Sequence, residues 1–205
     1  MPIPLITSII SAISILLGSA MGAWFSWLIN NKMYKRKMKE EYNIIKDNRE
    51  YEEQFKFKEI CSNANLIRLD ICTSIYQSIR ILLENENYIY PIPINKNYSC
   101  AISTLSDNYS LKELSYIYQL YGIIERVNND ILNFNFNSEK ELKNIINGFE
   151  VILNKIYGEN FKKFLKVNID DISYKDLYDN EYIKLGYRDI LKKLDELCYR
   201  ENMNN

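Results

Sequence analysis

The sequence predicts an all-α protein with one N-terminal transmembrane helix, a charged stalk helix and a cytoplasmic helical bundle. Three observations lead there. Residues 1–31 carry no charged side chain, and Ile3 to Ile29 is almost wholly apolar or small. Beyond that run, apolar residues recur at steps of three and four, the period of a helix with one buried face. The only stretch that competes as a strand is Asn87 to Ile94, and Pro91 and Pro93 spoil it. The predicted division is 1–31 anchor, 32–58 stalk and 59–205 body.

As a helix, the first run reaches about 40 Å, enough for a hydrocarbon core of about 30 Å. Gly18-Ser19-Ala20 could pass for a signal-peptidase site, but no basic residue precedes the run, and apolar character continues through Trp24, Phe25, Trp27 and Ile29. Retention as an anchor is therefore expected. Lys32, Lys35, Arg36, Lys37 and Lys39 follow at once, which puts the C-terminal body in the cytoplasm and the N-terminus outside. Trp24 and Trp27, the only tryptophans, sit before that cluster as interface anchors. The expected location is a bacterial inner membrane, with the lipid bilayer as first partner.

Inside the span, Ser14, Gly18, Gly22 and Ser26 recur every four residues. Small residues on one face let helix backbones approach closely, so this stripe predicts packing against a second copy, a homo-oligomer. Ser8, Ser11, Gly18 and Gly22 also fit a seven-residue repeat, which leaves a left-handed bundle and a right-handed dimer both open. Thr7, Ser8, Ser11 and Ser14 could line a wet path, although no charged ring is present to select ions. The alternative is that each hydroxyl bonds back to a carbonyl one turn earlier.

The run from Lys32 to Glu59, the stalk and the first residue of the body, holds nine basic and seven acidic residues, with no Gly or Pro to break a helix. Tyr34, Met38, Tyr42 and Ile45 form a short apolar stripe on it, suited to a coiled-coil contact or to a merely solvated helix. Next, Ile60, Ala64, Ile67, Ile71, Ile75, Ser78 and Leu82 mark a core helix that ends before Tyr88-Ile89-Tyr90-Pro91-Ile92-Pro93. A loop follows to about Ser99 and presents Tyr88, Tyr90, Lys96 and Tyr98. Such tyrosines either cover the helix beneath or stack on a base.

After a short turn around Cys100 to Leu105, Ser110 with Glu113 reads as a capping box, so a helix should start at Leu111. Its seam is Leu114, Ile117, Tyr121, Ile124, Asn128 and Ile131, interrupted only by Asn128. Ser138 with Glu141 reads as a second box, opening a helix with Leu142, Ile145, Phe149, Ile152 and Ile156 that Gly158 stops. Phe161, Phe164 and Leu165 continue a short apolar piece. Asp170, Asp171, Asp176 and Asp179 mark an acidic break before a last helix with Ile183, Tyr187, Ile190, Leu194 and Leu197. The tail from Glu201 should fray.

Lys plus Arg is 26 and Asp plus Glu is 27, so no global charge points to nucleic acid. There is no histidine, which removes the commonest general base and metal ligand together. Cys61, Cys72, Cys100 and Cys198 have no C-x-x-C spacing and are expected to be reduced and mostly buried. With six glycines and no phosphate-cradling motif, nucleotide hydrolysis has little material. The acidic pairs Glu84 with Glu86 and Asp170 with Asp171 read as solvated loop acids. The expectation is a non-enzyme with no catalytic residue, cofactor or metal. Arg68, Arg80 and Arg126 have apolar neighbours and, with Tyr90 and Lys96, are the candidate ligand contacts. Ion pairs with Asp70, Glu84, Glu125 or Asp130 would explain the arginines equally well. The richness in Asn, Ile, Lys and Tyr suggests an AT-rich bacterial genome.

In layout, one N-terminal span above a helical domain without enzyme motifs, the chain resembles small membrane-acting effectors of bacterial anti-phage and abortive-infection systems. The resemblance spans the whole chain and rests on no diagnostic motif. It implies an oligomeric membrane bundle, pore-forming or membrane-perturbing, controlled by a cytoplasmic domain that senses a protein or a small nucleotide signal. The other reading from the residues is a membrane-tethered scaffold or immunity protein, in which the span is only an anchor.

Overall fold

The computed structural model describes residues 3–84, 89–135, 138–166 and 171–199, and among these every regular element is helical. The chain divides into two units, Met1–Phe55 and Lys56–Asn205. Glu86, Tyr88, Asp170 and the tail from Glu201 lie outside the described residues.

The dominant element is α1, Ile3–Glu84. Its apolar beginning, its charged middle and its core-forming end are one helix because the sequence offers no breaker: Pro4 stands in the first turn, where its missing N–H costs nothing. The first unit consists of α1 alone. Its described side chains are exposed, including Trp24 at 63% and Phe55 at 65%, with Asn31 half-buried. It is the one helix, among the described residues, long and apolar enough to cross a membrane.

In the second unit, the end of α1 buries Ala64, Ile67, Ile71, Ile75 and Ile79 completely. Two buried serines on this stretch are satisfied locally, Ser74 Oγ donating to the Ile71 carbonyl at 2.7 Å and Ser78 Oγ to that of Ser74 at 2.6 Å. The remaining helices are α2 (Tyr98–Thr104), α3 (Leu111–Leu132), α4 (Glu139–Tyr157), α5 (Phe161–Phe164), α6 (Tyr174–Tyr178) and α7 (Leu185–Tyr199), with a 3-10 turn at Gly158–Asn160.

Helix α3 starts where the sequence places it. Ser110 Oγ accepts from the Glu113 N–H, and the Glu113 carboxylate accepts from the Ser110 N–H. The second box is only half formed. Ser138 Oγ accepts from the Glu141 N–H, but the Glu141 carboxylate turns to the Asn135 N–H at 2.9 Å, tying the preceding turn instead. The acidic break contains a helix, α6, because Asp176 closes a capping box with Ser173. At the end of α4, Gly158 has φ 64° and ψ −153°, a conformation open to glycine almost alone.

Helices α3 and α4 pack against each other along most of their length and run antiparallel. Lys155 Nζ on α4 donates to Gln119 Oε1 on α3 at 2.6 Å, while nearer the connecting turn Gly148 meets Val127. A side chain at Gly148 would put its Cβ 2.6 Å from Val127 Cγ2, so glycine here permits the close approach.

Buried tyrosines join the elements, each hydroxyl finding an acceptor on another segment. Tyr157 donates to the Leu177 carbonyl at 3.0 Å, Tyr174 to that of Leu191 at 3.0 Å and Tyr187 to that of Tyr116 at 3.2 Å.

Candidate functional site

The small-residue stripe lies on the exposed part of α1. Ser14 Oγ donates to the Ile10 carbonyl at 2.9 Å, and Ser8 and Thr7 likewise donate to the Pro4 carbonyl, so these hydroxyls are satisfied within the helix. A Cβ at Gly18 or Gly22 would meet nothing within 4 Å, as at Gly122 on α3, whereas Gly148 and Gly186 are each pressed by a neighbouring side chain. Among the described residues nothing requires glycine at 18 and 22. Trp24 and Trp27 form a tilted ring pair with centroids 6.2 Å apart, and Lys32, Lys35, Arg36 and Lys37 follow, all exposed. Ser26 is exposed too.

In the body the candidate ligand contacts are dispersed. Arg68 is committed to structure: Nη1 donates to Asp195 Oδ1 on α7 at 2.9 Å, Nη2 to Asn65 Oδ1 at 2.9 Å, and the guanidinium lies 4.8 Å from the Tyr174 ring centroid. Tyr178 donates to the other Asp195 oxygen at 2.9 Å. Asp70, two residues from Arg68 and so on another side of α1, is not its partner. Asp70 Oδ2 instead accepts from the Tyr121 hydroxyl at 2.8 Å and from the Asn95 N–H at 3.0 Å. Burial raises the Asp70 carboxyl, and those two donors offset the rise only in part.

The proline-containing connector is a strap. Ile92 is buried between Pro91 and Pro93, and its N–H donates to Asn128 Oδ1 at 2.7 Å while its carbonyl accepts from Asn128 Nδ2 at 2.9 Å. The polar interruption in the α3 seam therefore holds the strap. Gln77 Nε2 donates to the Tyr90 carbonyl. Tyr98 is no free platform for a ligand, since it begins α2 and stacks on Tyr121 with centroids 4.1 Å apart. Tyr90 and Lys96 remain exposed on the strap, and Arg80 is exposed on α1.

Arg126 lines a groove of about 230 Å³ between α3 and α4, with Ile123, Asp130, Asn144, Asn147 and Val151. Sequence reading found the arginine but not its surroundings, which come from two helices.

None of the four cysteines is in a disulfide; Cys61 is buried, Cys72 and Cys198 are half-buried, and Cys100 is exposed rather than buried. Burial lifts the Cys72 thiol to about 11 despite the nearby Arg68, so it stays protonated at neutral pH. Among the described residues no cluster of carboxylates or thiols could hold a metal ion.

Compared with protein-family models, with curated proteins and with solved structures, the chain matches none.

Proposed function

We propose that this is an oligomeric single-pass membrane effector, non-enzymatic, held in a bacterial inner membrane with its N-terminus outside and controlled by a cytoplasmic helical body. The observation that carries the proposal is the continuity of α1. One unbroken helix contains both the exposed apolar segment and the buried residues Ala64 to Ile79. A change in how the body packs on that buried face is then delivered to the span through the charged stalk, residues 32–58. A helix without Gly or Pro transmits rotation that a flexible linker would absorb.

Two further features support the reading. The basic cluster from Lys32 to Lys39 sits beside the tryptophan pair, as the inner edge of a span requires. Gly18 and Gly22, unexplained by any contact within the chain, are explained by a neighbouring copy. In the assembled bundle the span opens or perturbs the membrane, in keeping with a role in anti-phage defence.

Insertion of three glycines after Asp47 tests the coupling. The insertion should abolish membrane activity while leaving membrane insertion and the fold of the body intact; a fully active insertion variant would sink the mechanism. A second reading, a membrane-tethered scaffold or immunity protein, is favoured by the α3/α4 groove taken alone. Exchange of residues 3–31 for an unrelated single-pass helix separates the two, because a scaffold keeps its function after the exchange.

A further inference from the structure

The groove between α3 and α4 holds four polar side chains, those of Arg126, Asp130, Asn144 and Asn147. None of them makes a hydrogen bond or ion pair with the described residues. Three other polar side chains of these helices are paired, Gln119 with Lys155, Glu113 with Lys193 and Asn128 with Ile92, whereas the four in the groove face solvent. Arg126 and Asp130 stand one helical turn apart, yet they do not pair with each other. A cation beside a carboxylate is a poor site for a bare anion, because the carboxylate repels what the guanidinium attracts.

The antiparallel register orders the groove. Ile123 faces Val151 at one end, Arg126 and Asn147 come next, and Asp130 lies with Asn144 at the other end. Along α3, Arg126 and Asp130 are about 6 Å apart. In an extended peptide, side chains two positions apart lie on one side at about 6.7 Å. The amides of Asn144 and Asn147 each offer a donor and an acceptor, the combination with which Asn128 binds both backbone groups of Ile92 in this same protein.

We infer that this groove binds an extended segment of a partner protein in which an apolar, an acidic and a basic side chain stand in that order at alternate positions, so that all three face the groove. The acidic side chain meets Arg126, the basic one Asp130, and the apolar one rests on Ile123 and Val151. Asn144 and Asn147 bond the segment's backbone. This names the partner for the sensing role proposed above and rests on that reading only for what binding sets off.

The test is selection of a displayed library of random eight-residue peptides on the full chain in lipid nanodiscs at low salt. The parent should enrich the apolar–x–acidic–x–basic pattern, in either chain direction, about fivefold over the input, as expected for two exposed charge pairs. The double variant Arg126→Glu with Asp130→Arg keeps the net charge and breaks no contact, so it should fold; it should enrich apolar–x–basic–x–acidic instead. Asn144→Ala with Asn147→Ala should reduce recovery of both patterns. No enrichment by the parent, or the same pattern from parent and charge-exchanged chain, overturns the inference. The readout is independent of membrane activity. A chain that depolarises membranes but selects no pattern loses this inference alone, and one that selects the pattern without depolarising loses the effector reading alone.

Discussion

The side-chain amide of Asn128 closes on both backbone groups of Ile92, donating to its carbonyl at 2.9 Å and accepting from its N–H at 2.7 Å. A residue buried between two prolines has no neighbouring N–H on either side to join a ladder, so a side chain on α3 supplies the missing partners. Replacing Asn128 by Ala should leave both groups of Ile92 unpaired and cost about 2 kcal/mol. Asn128→Asp should fall between, since it keeps an acceptor and loses the donor. Thermal unfolding in detergent, with hydrogen exchange at Ile92, measures both.

Packing of α3 on α4 depends on Gly148. Gly148→Ala should destabilise by about 1–3 kcal/mol through overpacking against Val127. Val127→Ala should be destabilising alone but should recover part of the loss in the double variant. Strict additivity in a double-mutant cycle would contradict the contact.

Arg68 and Arg126 should respond unequally to removal. Arg68 and Asp195 are largely covered, with side chains 23% and 16% exposed, so Arg68→Ala leaves a poorly compensated carboxylate and should cost about 2 kcal/mol. Arg126→Ala should change stability by no more than about 0.5 kcal/mol. Chemical denaturation of the two variants checks the contrast.

Stability should depend on pH through two carboxylates of opposite sign. Burial would raise Glu113, but the hydrogen bond from Lys193 and those from Ser110 outweigh it and hold the carboxyl below its ordinary value. Its contribution is therefore present above the ordinary carboxylate range and lost as pH falls through the lowered value. Asp70 is raised, chiefly by burial, so the folded state binds its proton more tightly than the unfolded chain does, and stability falls as pH rises through the raised value. Glu113→Gln should flatten the acid loss, and Asp70→Asn should steepen it by removing the opposing slope. Melting temperatures between about pH 3 and 7 distinguish these outcomes.

Much of the helical architecture was legible because it is written in local patterns. Ser110 and Glu113 mark the start of α3, Gly158 the end of α4, and the three- and four-residue steps from Ala64 to Ile75 the buried face of α1. What sequence could not give was pairing over distance. Asp195 meets Arg68 across 127 residues, and no local rule singles it out over Asp70, which spacing made the nearer choice. Asn128 read as a flaw in a seam because its partner is backbone rather than side chain. For Tyr98 the sequence leaves covering a helix and meeting a ligand both open, because the ring it stacks on, Tyr121, belongs to another helix. The half-formed cap at Ser138 shows the same limit on a smaller scale, as Glu141 had a competing donor in Asn135.

The proposal that the span acts as an oligomer is tested most directly by membrane potential. Bacteria induced for the intact chain are compared with bacteria expressing Gly18→Ile with Gly22→Ile at the same membrane level. A Cβ at either glycine would meet no other side chain among the described residues, so the substitutions should leave the fold alone and act only between copies. Depolarisation by the intact chain, lost in the double variant, is the expected result. Equal potentials in the two strains would contradict it.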